Sequence, residues 1–219
     1  AFPTRASKKH VQLRYDTKLT SSEYIEQEAW KNSPIMTCPV HFHSRGQCSF
    51  RRHGTYQRKY PDGLKIQRWY CQEAHQTFSQ LPDFAACRAS GELKDIENVA
   101  VLFGDERARG ATVEQAARTI RPDISPQSAM RWVSRRCTWM LTALTLLAGI
   151  APESGAVCGK SIKELRAFFD IPVLLVNMRQ IENSILQRAM PPLGFKPPYR
   201  HHVFSKLPMQ QSMGADKPP

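Results

Sequence analysis

Apolar positions in the first part of the chain come in short runs broken by turn formers, and in the rest they recur every three or four residues. From Ser49 to Tyr60 the chain sets Phe50, Thr55, Tyr56 and Tyr60 among polar residues. Pro61-Asp62-Gly63 follows, then Leu64, Ile66 and Trp69-Tyr70. This reads as strand, turn, strand. Gln76-Thr77-Phe78-Ser79 predicts a third short strand before Leu81-Pro82. Residues 81–90, with Pro82, small side chains and then Gly91, read as a linker.

Beyond Gly91 the period changes. Leu93, Ile96, Val99, Ala100 and Phe103 fall on one face of an amphipathic helix from Glu92 to about Arg107. Thr112-Val113-Glu114-Gln115 is a capping-box pattern that opens a short helix through Ile120. Arg121-Pro122-Asp123-Ile124 breaks it. Ser125-Pro126 restarts a helix, with serine at the N-cap and proline at the first helical position. Met130, Val133, Cys137, Met140/Leu141, Leu144 and Leu147/Ala148 then form one apolar stripe. A short helix, a tight turn and a helix with a buried stripe is the helix-turn-helix pattern; a plain helical hairpin shares it. Ser161-Ile162-Lys163-Glu164 opens a further helix, and another is expected from Pro172 to Ala189. The expected fold class is α+β, with a small N-terminal three-stranded zinc ribbon followed by an all-α helix-turn-helix region. The divisions are an arm with a short helix over 1–34, the ribbon over 35–82, the helix-turn-helix region over 91–150, C-terminal helices over 151–190 and a disordered tail over 191–219.

Charge sharpens this picture. The formal net charge is +12, which makes a polyanion the first partner to consider. Residues 38–71 carry seven basic side chains against the single acid Asp62. Residues 72–123 carry six basic against nine acidic, and residues 124–219 twelve against five. Two basic blocks separated by an acidic one suit a two-handed grip on a phosphate backbone. The longest mostly apolar stretch, Trp139 to Ala151, has 13 residues, short of the roughly 20 needed to cross a bilayer. The polar, basic N-terminal residues do not read as a signal peptide, so a cytoplasmic, nucleoid-associated protein without a membrane partner is expected.

The cysteines carry the chemistry. Cys38-Pro39-Val40-His41 and Cys71-Gln72-Glu73-Ala74-His75 are two Cys/His pairs with the spacing of a structural Zn2+ site. Cys38, His41, Cys71 and His75 are the expected ligands, with Cys48 in place of His41 as the main alternative. A three-stranded sheet of this size has almost no core, so a metal would supply the missing stability. A nucleobase deaminase would need an H-x-E and a later P-C-x-x-C, and the chain has neither. Four closed ligands point to structure and away from catalysis.

The knuckle Cys38-Pro39-Val40-His41, then His53-Gly54-Thr55-Tyr56 with Arg58-Lys59, then Arg68-Trp69-Tyr70-Cys71 and Thr77-Phe78-Ser79, resembles the zinc ribbon that begins many bacterial insertion-sequence transposases. The likeness spans about residues 35–140 and is nearest to the short transposase-like proteins that lack a nuclease domain. The family ribbon commonly uses four cysteines, whereas this chain offers two histidines and one extra residue in the second pair. The resemblance implies binding of double-stranded DNA of a mobile element. Arg51, Arg52, Arg58, Lys59 and Arg68 of the ribbon would grip the backbone; Gln127, Ser128, Arg131 and Arg135 would meet base edges in the major groove, with Arg136 on a phosphate. It does not imply strand transfer, which takes three carboxylates holding two metal ions; after Ile124 the only acids are Glu153, Glu164, Asp170, Glu182 and Asp216. No enzymatic activity is therefore expected; the nuclease is either absent or supplied by a separate transposase or nuclease subunit. Two other readings compete: an RNA-binding module stacking bases on Tyr56, Tyr60, Trp69 and Tyr70, and a protein–protein adaptor with incidental charge.

Overall fold

Pro61-Asp62-Gly63 does what its composition demands. Gly63 takes φ +77, its N–H is held by Asp62 Oδ1 at 2.9 Å, and Arg58 N–H reaches Leu64 O at 2.8 Å. A residue with a side chain would be strained there. The turn joins β2 (Phe50–Gln57) to β3 (Lys65–Cys71), and a second turn over 72–75 joins β3 to β4 (Gln76–Pro82). The computed structural model describes residues 10–34, 37–41, 48–150, 161–180 and 192–194.

The sheet has four strands where three were expected. β1 (His10–Tyr15) lies parallel to β4, and the order is β1-β4-β3-β2 with the other pairs antiparallel. The arm expected over 1–34 does hold a short helix, α1 (Ser21–Glu26), capped by Thr20 and Glu23, but it also supplies this strand. The signal is the alternation Val11, Leu13, Tyr15 against Gln12 and Arg14: Val11 and Leu13 pack beside Trp69, Phe78 and Cys71 on one face of the sheet. Phe50 stacks on Trp69 there, with centroids 5.4 Å apart and planes at 11°. The Trp69 indole N–H reaches Gln80 Oε1 at 2.6 Å.

Residues 81–90 are not a linker. Phe84, Ala85, Ala86, Cys87 and Ala89 are buried, running between the sheet and the helices. The side chains are small because the space is tight, and the backbone carbonyls are claimed by guanidinium groups. Arg179, wholly enclosed, donates to the carbonyls of Asp83, Ala85, Pro192 and Leu193. Arg58 donates to those of Ala86 and Ala89. Gln12 Oε1 accepts from Arg88 N–H at 2.9 Å and from the Cys87 thiol at 3.0 Å. Burial draws Arg179 down to about 10, which leaves it protonated at neutral pH. Residues 192–194, expected in the disordered tail, are also buried, and Cys87 N–H donates to Pro192 O at 3.0 Å. The rest of that tail, with the expected helical residues 181–189, lies outside the described residues.

Among the described residues there are six α-helices, and the fold is α+β. α2 (Leu93–Ala108), α3 (Val113–Ile120) and α4 (Pro126–Ile150) follow the expected order. Thr112 and Gln115 form the capping box of α3, and Ser125 caps α4 through Ser128 N–H. Ala117, Ala129, Val133 and Val99 bring the three helices together. Farther along α4, Met140, Ala143 and Leu147 meet Leu165 of α5 (Ile162–Phe169) and Leu174, Leu175 and Met178 of α6 (Leu174–Gln180). Glu97 of α2 is fully buried and ties this layer, accepting from Arg166 Nε at 2.5 Å and from the first N–H groups of α6 at 3.0 and 2.8 Å. No helix among the described residues is long and apolar enough to cross a membrane.

The role of Arg179 is testable. Arg179→Met keeps length and apolar volume but strips four buried carbonyls of their donor. It should lower the unfolding free energy by about 3 kcal/mol or more, read as a fall in the urea midpoint. A variant within about 0.5 kcal/mol of the parent would refute the role given to this group.

Candidate metal centre

Cross-strand register builds the site. Phe50 opposes Cys71, so Cys48, two residues before β2, arrives at the end of β3. The segment 37–41 brings Cys38 and His41 to the same place, where Cys38 packs against Trp69, Cys71 and Phe78. One ligand atom from each of Cys38, His41, Cys48 and Cys71 lies within 4.8 Å of the others. His41 Nδ1 is 3.5 Å from both Cys38 Sγ and Cys71 Sγ, and Cys48 Sγ is 3.3 Å from Cys71 Sγ. A tetrahedral zinc with its usual bond lengths separates such donors by roughly 3.5–3.8 Å. The three thiols are free, not disulfide-bonded. Four side chains are thus close enough to hold a metal ion, and three sulfurs with an imidazole are compatible with zinc.

Backbone N–H groups meet two of the sulfurs. Ala74 N–H donates to Cys71 Sγ at 3.3 Å, Val40 and His41 N–H groups face the Cys38 thiol, and His41 N–H also closes a turn on Cys38 O at 3.2 Å. Burial opposes ionisation of Cys38, but N–H donors of Val40 and His41 outweigh it and bring the thiol to about 7. Burial pushes Cys71 and Cys48 up, with a neighbouring sulfur adding to the rise at Cys48. A bound divalent cation would reverse that order by favouring thiolate at every sulfur. Glu73 fastens the assembly. Its carboxylate accepts Ser49 N–H at 2.9 Å, which holds it down at about 2, and its second oxygen lies 3.6 Å from Cys71 Sγ. The segment bearing Cys48 is thereby tied to the turn after Cys71.

His75 is not in the cluster, and Cys48 stands in its place beside His41. The reason is the alternation of strand side chains. Cys71 points to the Trp69 face of the sheet. His75, at φ +48 in the 72–75 turn, turns to the other face, where its Nδ1 meets Tyr70 OH at 3.3 Å. Counting back along β2 from the Pro61–Gly63 turn would have brought Cys48 opposite the end of β3; pair spacing alone could not.

The basic residues scatter. Arg52 is committed to the carbonyls of Lys31 and Ser33, both at 2.7 Å, and lies over Trp69. Arg58 is a largely buried clamp on residues 86–89, not a surface contact, and burial lowers its pKa. Lys59 is exposed over the Tyr60 ring, and Arg51 is exposed on β2. Arg68 is half-buried, with an Nε that has no partner. On α4, Gln127, Ser128, Arg131 and Arg135 are exposed, whereas Arg136, 8% exposed, is packed 3.3 Å over the Trp132 ring and donates to Trp132 O. The phosphate contact expected of Arg136 is replaced by this packing. Arg121, paired with Asp123, covers the same ring at 4.6 Å.

No family model, curated protein or solved structure matches the chain. The geometry of the cluster therefore carries the assignment by itself.

Cobalt offers a direct check on the ligand set. The chain loaded with Co2+ should show thiolate-to-metal charge transfer and the intense visible bands of a tetrahedral site. Cys48→Ala should lower the charge-transfer intensity by the share of one thiolate and weaken Co2+ binding, whereas His75→Ala should change neither. The opposite result would return the ligand set to Cys38, His41, Cys71 and His75.

Proposed function

We propose that this chain is a duplex-DNA-binding protein in which a structural zinc ion, held by Cys38, His41, Cys48 and Cys71, fixes the sheet while the start of α4 reads the major groove. The observation that carries the reading is the row on α4. Gln127, Arg131 and Arg135 recur every four residues, Ser128 lies beside them, all four are exposed, and α4 contains no acidic residue. Ala129 and Val133 bury the opposite side against α3 and α2. Gln suits adenine, and Arg suits guanine, through paired hydrogen bonds. The arrangement of α3, the turn and α4 supports a helix-turn-helix role for this pair. Three thiolates and an imidazole with no open position favour a structural ion over a catalytic one. The association with a mobile element rests on the sequence resemblance; in that setting a separate subunit would supply strand cleavage.

The RNA reading loses one of its platforms, because Trp69 is 2% exposed and stacked on Phe50. The adaptor reading differs in salt response. Several phosphate contacts give a steep negative slope of log affinity against log salt, whereas a neutral interface gives little.

Selection from a random duplex pool with the zinc-loaded chain should yield a preferred site. Arg131→Ala should relax preference at one or two base pairs, at a cost of about 1–3 kcal/mol on the selected site. Equal loss on every duplex would defeat the reading role, and a flat salt response would favour the adaptor.

A further inference from the structure

The two faces of the sheet differ in kind. One is filled by Trp69, Phe50, Phe78 and the metal ligands. The other, at the same end of the sheet, is polar, aromatic and cationic. Arg51 is registered opposite Tyr70 and Tyr70 opposite Thr77; Arg68 is opposite Ser79, and Ser79 is opposite Gln12. Residues two apart on a strand share a face, so Arg68 and Tyr70 stand side by side on β3, with Arg51 next to Tyr70. The His53 ring lies 5.2 Å from the Tyr70 ring at 35°. His75 reaches the phenol from the turn at 3.3 Å. Arg88 enters along the Gln12 row, its N–H held by Gln12 Oε1.

Thr77, Ser79 and Gln12 are covered, and the part of this face open to solvent lies over β2 and β3. Arg51, His53 and His75 are exposed, and Tyr70 is half-buried. Among the described residues neither Arg51 nor Arg68 has a carboxylate partner, and Arg68 keeps a buried Nε without an acceptor. A cationic surface with an open pair of rings at its centre is what a single nucleic-acid strand needs: guanidiniums for phosphates and a π-face for an unpaired base. A duplex hides its base faces and could use only the charge.

We propose that this face of the sheet binds single-stranded DNA, with a base stacked on the Tyr70–His53 pair and flanking phosphates on Arg51 and Arg68. The choice of DNA rather than RNA rests on the duplex-DNA reading above, while the surface itself is argued from its rings and cations. The reading of α4 concerns a different surface and a different form of DNA.

The test uses the full zinc-loaded chain and fluorescein-labelled oligo(dT), read by anisotropy, with oligo(U) and heparin as competitors. Tyr70→Ala should weaken oligo(dT) binding roughly 10- to 100-fold. Tyr70→Phe, which keeps the ring and loses only the bond to His75, should stay within about twofold of the parent on the same stacking argument. Arg51→Ala should weaken binding several-fold and lower the salt slope by about 0.7. Should Tyr70→Ala fail to fold by circular dichroism, Arg51→Ala and Tyr70→Phe decide. Unchanged binding in Arg51→Ala, or loss in Tyr70→Phe as large as that expected for alanine, overturns the proposal. So does oligo(U) binding as tightly as oligo(dT), or heparin competing as well at equal charge. The unmodified chain is assayed on duplex and on oligo(dT) separately, so either reading can fail while the other stands.

Discussion

A guanidinium sealed from water must place each of its donors on an acceptor, and Arg179 does so on four backbone carbonyls from two distant stretches of chain. Those carbonyls belong to Asp83 and Ala85, just after the last strand, and to Pro192 and Leu193, beyond the last described helix. Arg58 repeats the device from the strand side on Ala86 and Ala89. An irregular segment can lie buried here because these two side chains, with Gln12 Oε1 and Pro192 O, replace hydrogen bonds that a helix or strand would have given it. The sheet and the helical layer keep a fixed relation through that shared segment.

The Cys38, His41, Cys48 and Cys71 cluster, close enough to hold a metal ion, lies at the opposite end of the β2–β3 hairpin from the Pro61–Gly63 turn. Two hairpin ends and a preceding segment converge, and each sulfur comes from a different local environment. Glu73 keeps the approach of Cys48 fixed through Ser49, so the ligand geometry depends on a carboxylate that is itself no ligand.

Elements marked by local chemistry were legible in the sequence. Thr112 with Gln115, Ser161 with Glu164, Ser125-Pro126 and Pro61-Asp62-Gly63 each act within a few residues of themselves, and each sits where its pattern implies. Cys38, His41 and Cys71 were legible through pair spacing. What could not be read depends on partners far along the chain. The Ala-rich segment 81–90 resembles a linker until Arg179 is set against it. The face on which a histidine emerges from a turn, which separates His75 from Cys71, depends on backbone conformation that spacing does not encode. Arg52, Arg58 and Arg136 show the limit of reading charge alone, since each is spent on packing or on backbone carbonyls.

Trp132 is clasped between two cations, Arg121 from the turn before α4 and Arg136 from the helix itself. The clasp fixes how the turn leads into α4 while the protein is still alone. A groove-seeking helix with a loose leader would lose orientational freedom on docking, and that loss would weaken the complex. On the proposed reading that restriction is already in force in the free chain, and the half-buried indole at the base of the helix would report on whether the clasp holds.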